Sequence, residues 1–187
     1  MPIDLGGNFV VSANTTSLMN IASTSTNPAF RVDSAGSTLT PKQIGFMAGW
    51  SSDPGWQWLT HSTYATFQFN ATSYNIGNCF NTANGRFTAP VNGTYLFHAT
   101  SYFYKNAGFD GSFVYIWFSR NGNQNYLDVK IRGHVYTAGN YFSGEIAQYT
   151  YLNAGDYVEY VVYTSASNDT SFEVYPYYGH FEGALVG

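Results

Sequence analysis

The chain has one cysteine, Cys79, in 187 residues, so no disulfide can close within it and its stability must come from packing or assembly. A lone thiol in an apolar stretch is expected to be inert core. Charge is equally scarce, at 10% of residues. The seven basic residues, Arg31, Lys42, Arg86, Lys105, Arg120, Lys130 and Arg132, form no stripe that could neutralise phosphates, and the net charge is -4. That balance excludes nucleic acid as an expected partner. Nowhere do 18 apolar residues run together, so no membrane span is expected. The opening MPIDLGGNFVVSANTT has neither the positive n-region nor the unbroken apolar core of a secretory signal, and none is expected there.

Catalytic and metal-binding motifs are also missing. His61, His98, His134 and His180 show no His-x-x-x-His spacing, so each is expected to be structural or on the surface. There is no Gly-x-Ser-x-Gly elbow, and nothing in the spacing of the dispersed acids singles out a glycosidase pair. The chain is therefore expected not to be an enzyme. No Asp-x-Asp-x-Asp-Gly loop offers calcium a site, and no cofactor is expected. Nor does a 3.6-residue period persist over ten residues, which argues against helices.

What the chain has in quantity is aromatic residues, 19% of the total, and 19 glycines. Apolar runs of strand length recur: ATFQFNA (65–71), GTYLFHATSYFY (93–104), SFVYIWFSR (112–120), YLDVKIRG (126–133), YFSGEIAQYTYL (141–152), DYVEYVVYTS (156–165), SFEVYPYYG (171–179) and HFEGALV (180–186). Turn formers separate them: NTANG, PVNG, RNGNQN, TAGN, NAGD and SASND. Asn121-Gly122 fits the two positive φ angles of a type I′ turn, which predicts antiparallel strands on either side. The pattern predicts an all-β, antiparallel two-sheet sandwich or jelly roll over residues 44–187. In FVYIWF both faces are apolar, so either a fully enclosing sandwich or a neighbouring subunit must cover the second one. Residues 12–27 contain eleven Ser, Thr or Asn in sixteen positions without a sustained period. Residues 1–43 therefore read as an extended arm, with a first strand at 28–33 in NPAFRV.

The spaced series Phe69, Asn75, Phe80, Phe87, Gly93, Tyr95 and Phe97 resembles the signature of the complement C1q globular domain, a relative of the tumour necrosis factor jelly roll. Further on, SRNGN is similar to that family's Asn-Gly hairpin. LNAGDYVEY, with Gly155 and Asp156, is similar to its entry into a late strand, and HFEGALV, with Phe181 and Gly183, to its closing strand. The chain departs from the pattern in having Ala99 where an aromatic is expected, and in having the Ser/Thr/Asn-rich arm where a collagen repeat would stand. The resemblance implies a homotrimer of jelly rolls, with NPAFRV as the opening strand. Calcium bound through acidic loops at the trimer apex would follow only if such loops were present.

The physical reading of these residues predicts a sharp turn at Gly93 and at Gly155, and a core position for Phe87 and Phe97. Tyr95, Tyr149 and Tyr151 are candidates for trimer contacts, since a phenol can pack its ring and still reach a hydrogen-bond partner. Trp50, Trp56 and Trp58 in GWSSDPGWQWL are candidates for a ligand-facing aromatic site, or else cover the open end of the sandwich. Together these features lead to the expectation of a non-enzymatic virion structural protein, a bacteriophage capsid decoration or cement protein or a short fibre head. It would be displayed on the virion surface and docked to a capsid or tail protein through residues 1–43. The alternative is a recognition module for a glycan or host receptor, at a tail-fibre tip or extracellular.

Overall fold

The computed structural model describes residues 17–22, 28–33, 38–39, 43–60, 62–105, 113–123, 131–134, 140–165 and 172–187. The chain divides into two compact units, Met1–Gln43 and Ile44–Gly187. In the first, β1 (Ser17–Ala22) pairs antiparallel with β2 (Pro28–Asp33), which pairs in turn with β3 (Thr38–Leu39). A strand at 28–33 is expected from NPAFRV; β1 and β3 are not, because SLMNIA and TL do not alternate apolar and polar residues, and backbone pairing requires only extended φ and ψ.

The second unit holds β4 (Gly45–Gly49), β5 (Gln57–Trp58), β6 (Tyr64–Thr66), β7 (Ala71–Ile76), β8 (Phe80–Asn81), β9 (Arg86–Thr88), β10 (Gly93–Lys105), β11 (Phe113–Arg120), β12 (Ile131–His134), β13 (Asn140–Leu152), β14 (Tyr157–Thr164), β15 (Phe172–Val174) and β16 (His180–Leu185). A single 3-10 turn covers Pro176–Tyr178. All strand pairs are antiparallel, in two sheets. In the larger sheet β10 pairs along its whole length with β13; its other edge pairs with β16 and then with β15, which leads to β5. Beyond β16 lie β4 and β7. The smaller sheet runs β12-β11-β14-β9-β8, with β6 on the far half of β14. The chain alternates between sheets as it goes, which makes the sandwich a jelly roll.

Of the predicted strands, β10 and β13 are each one residue longer than expected and β14, β15 and β16 are shorter; Asn121 and Gly122 have φ of 52° and 72°, with the Asn123 N–H donating to the Arg120 carbonyl at 2.9 Å. Residues 126–130 of the predicted YLDVKIRG strand lie outside the described residues; Ile131–His134 pairs with β11 antiparallel, as the turn requires. ATFQFNA is split instead into β6 and β7, because Phe67 and Phe69 both turn into the core. The strand that pairs with the closing β16 is β4, GFMAG, with Phe46 fully buried. NPAFRV, expected in that place, pairs as β2 with β1 and β3.

Alternation along β10 is strict: Tyr95, Phe97, Ala99, Ser101 and Phe103 point inward, and the residues between them point out. The core these residues enter is largely aromatic. Phe46 stacks on Phe80 at 4.6 Å between centroids, and Phe97 meets Phe87 edge-on at 5.0 Å. On the second face of FVYIWF the chain itself encloses Trp117, while Phe113 and Tyr115 stay half-buried. Trp117 is fully buried, with the Tyr64 ring edge-on to it at 5.4 Å.

The signature residues have separate mechanical reasons. The Asn75 side-chain oxygen accepts from the N–H groups of Cys79 (2.9 Å) and Phe80 (3.1 Å), and its amide donates to the Phe80 carbonyl at 2.8 Å, closing the turn into β8. A Cβ on Gly183 would come within 2.6 Å of the Phe97 ring, and one on Gly93 within 2.5 Å of Leu185. Gly93 is thus required by close approach and not by a turn, while Gly155, at φ +90°, does serve a turn. Beside it, Asp156 accepts from Arg120 (2.5 Å), Asn121 (2.7 Å) and the Asn153 N–H (2.9 Å). These bonds, Asn121's foremost, hold its carboxyl below its ordinary range. Burial pushes the Cys79 thiol up to about 11, which keeps it protonated and unreactive at neutral pH.

Candidate functional site

The outward face of the larger sheet is where the chain concentrates unusual side chains, and strand register assembles them in three zones. Opposite β10, β13 places Tyr141 beside Tyr104, Glu145 beside Thr100, Tyr149 beside Leu96 and Tyr151 beside Thr94. On the other edge, β16 places His180 beside Thr100, Glu182 beside His98 and Ala184 beside Leu96. These residues share one face because side chains two apart on a strand point the same way.

At one end stands an aromatic cluster around Trp56. Its ring lies 4.9 Å from Tyr175, 5.7 Å from Tyr141, 5.9 Å from Tyr102 and 6.0 Å from Tyr104. Trp56 keeps 37% of its surface exposed and Tyr141 58%. The Tyr175 hydroxyl donates to the Asp53 carboxylate, whose other oxygen accepts from the Gly55 N–H at 2.7 Å, fastening the loop that carries Trp56. That bond, led by the Tyr175 donor, lowers the Asp53 carboxyl, and the same bond pushes the Tyr175 phenol up to about 12.

The middle zone is polar. His98 Nε2 lies 2.9 Å from Glu145 Oε1 and its Nδ1 3.0 Å from Glu182 Oε1. His180 Nε2 lies 3.3 Å from His98 Nδ1 and 3.9 Å from Glu182 Oε1, while its Nδ1 is 3.0 Å from Thr100 Oγ1. Burial, more than the neighbouring charges, lowers the affinity of His180 for a proton. At the far end, Tyr149 and Tyr151 are 65% and 56% exposed; on the opposite edge strand, β7, Tyr74 and Ile76 are also exposed.

Of the residues singled out from sequence, Tyr149, Tyr151 and Trp56 lie on the surface. Tyr95 is corrected: it is fully buried against Phe87, and its hydroxyl donates to the Val91 carbonyl at 2.8 Å, so it is core and cannot contact a neighbour. Trp50 is half-buried against the core and lines an open cleft of about 260 Å³ with Leu59, Phe67 and Val174. The backbone of Trp58 pairs with Glu173, and its side chain lies outside the described residues. Sequence reasoning missed the histidine cluster. The available signal was His180-x-Glu182, a pair that shares a face on a strand, whereas the search was for helical spacings.

The comparisons with known proteins agree with an antiparallel jelly roll. The family model described as "C1q domain" matches residues 56–138. Among solved structures, the globular domain of zebrafish complement 1qA superposes with a TM-score of 0.53 at 12% identity, covering 78% of this chain and 98% of that one. Eiger TNF from S. frugiperda gives 0.56 at 12% identity, covering 78% and 94%; murine APRIL gives 0.51 at 14%, covering 78% and 100%. A search of curated proteins returns no match. The chain thus has the C1q/TNF jelly-roll fold, and its identities to these structures speak to fold alone.

Proposed function

We propose that the protein is a non-enzymatic, homotrimeric structural module of a virion surface, a capsid decoration or cement protein or short fibre head, with Ile44–Gly187 as the displayed head and residues 1–43 as the segment that docks it to a capsid or tail protein. The observation that carries the assembly part is the apolar end of the outer face, where Tyr149 and Tyr151 stand exposed on β13 opposite Leu96 and Thr94. Large aromatic side chains left open side by side on a sheet face fit a contact between subunits. The division of the chain at Gln43 supports a separate docking segment. Mass in solution near three times 20.7 kDa tests the trimer. Deleting residues 2–40 should leave that trimer folded and unable to attach to particles; full attachment by the truncated protein would refute the docking role.

The aromatic cluster supports a second reading, recognition of a glycan or receptor on the same head. Trp56, ringed by Tyr102, Tyr104, Tyr141 and Tyr175, offers flat apolar faces with phenol hydroxyls beside them, the chemistry that packs on sugar rings. Glycan-array binding that disappears in Trp56→Ala with the oligomer intact would establish it.

A further inference from the structure

The middle of the outer face holds three potential ligand atoms at the separations of a metal's coordination shell. His98 Nδ1, Glu182 Oε1 and His180 Nε2 are 3.0, 3.3 and 3.9 Å apart. A point equidistant from all three lies about 2.0 Å from each, which is the length of a zinc–nitrogen or zinc–oxygen bond. Three ligands around a tetrahedral zinc ion are separated by roughly 3.3 Å, so two edges of the triangle need little adjustment, and the His180–Glu182 edge has to close by about 0.6 Å to lift the ion out of the plane of its ligands.

A second, independent feature is the way the outer nitrogens of the two imidazoles are held. Glu145 Oε1 faces His98 Nε2 at 2.9 Å, and Thr100 Oγ1 faces His180 Nδ1 at 3.0 Å. The Glu145 carboxylate only accepts, so it places hydrogen on His98 Nε2 and turns Nδ1, with its lone pair, toward the centre; the Thr100 hydroxyl orients the His180 ring by accepting from Nδ1 when that nitrogen carries the hydrogen, and metal-binding histidines are supported in this way. Register produces the whole arrangement. Thr100 stands directly opposite both Glu145 and His180, and His98 directly opposite Glu182.

We propose that His98, His180 and Glu182 bind a divalent first-row transition ion, zinc foremost, with Glu145 and Thr100 as positioning residues. Two nitrogens and one carboxylate suit zinc, and they do not suit calcium, which takes six to eight oxygens. His180 also borders an open cleft of about 380 Å³ lined by Met47, Ser73, Tyr177 and Tyr178, so a fourth position stays open to water or to an added ligand. On binding, the ion takes lone pairs from the two nitrogens and the carboxylate, and any proton on those atoms is released to solvent. The proposal concerns the single chain and does not depend on the trimer.

The test uses untagged full-length protein, stripped with a chelator and titrated calorimetrically with zinc ion alone, with stoichiometry counted per chain. One ion per chain is expected, with loss of binding of about 100-fold or more in His180→Ala and in Glu182→Gln. Glu145→Gln, at a side chain 71% exposed and safe for folding, should weaken binding about 10- to 100-fold and leave the melting temperature of the stripped protein unchanged. Cobalt ion in place of zinc should give the intense visible absorption of a four-coordinate site. Absence of saturable zinc binding, parental affinity in Glu182→Gln, or a weak six-coordinate cobalt spectrum would each overturn the assignment.

Discussion

The two faces of β10 carry different kinds of information. Inward, Tyr95, Phe97, Ala99 and Phe103 meet a closed aromatic core; outward, Leu96, His98, Thr100, Tyr102 and Tyr104 meet residues of β13 and β16 on a face left half-open. The inner residues can be exchanged only at the cost of the fold, since every ring there touches several others. The outer residues are free of that constraint, and there the chain holds His98, His180, Glu145 and Glu182 together with exposed tyrosines. Closure explains the difference: an interior is packed to fixed volume, whereas an open face is limited only by solubility and by what it binds.

The largest expected break in this contrast is Phe97→Ala. The ring is fully buried and touches Phe87, Tyr95, Phe118 and Phe181, so removal should cost about 3–5 kcal/mol, read as a lowered denaturant midpoint. An unchanged midpoint would show that the inner face is not the structural one.

A smaller effect is expected at the sandwich rim, where Asp156→Asn should cost about 1–2 kcal/mol at neutral pH. The Asp156 carboxyl is lowered in the folded state, so its stabilisation is present above its ordinary value of 3.8 and is lost as pH falls through the lowered folded value. The parent should therefore lose stability over that acid range relative to Asp156→Asn, and parallel acid profiles for the two proteins would contradict the assignment. The smallest effect on the fold belongs to the outer face. Tyr149→Ser should leave unfolding of the dissociated chain within about 0.5 kcal/mol of the parent while weakening self-association in equilibrium sedimentation. A large loss of intrinsic stability would place Tyr149 among the structural residues.

Much of the fold was legible because the residues that specify it act locally or at constant spacing. Asn121-Gly122 announces its turn through positive φ, Asn75 closes one with its own amide, and the two-residue period of β10 states its buried face. The opening strand was misplaced because GFMAG is short and rich in glycine. Its identity comes from Phe46 filling a space beside Phe80 and Phe181, which no local pattern expresses. Tyr95 and Tyr149 are both strand tyrosines with similar neighbours, and only the direction of the pleat relative to the second sheet makes one core and the other surface.

The candidate site divides in the same way. Sequence by itself determined an antiparallel two-sheet β fold in a chain that cannot close a disulfide within itself and has no run of 18 apolar residues, because composition and two-residue period follow from the covalent chain; the jelly roll rested on the resemblance carried by the series Phe69 to Phe97. Tertiary structure alone decided that His98, Glu145, His180 and Glu182 form one cluster, because their meeting depends on the register of three strands widely separated in the chain. A slip of one residue in either pairing would turn those side chains to the opposite face and dissolve the site.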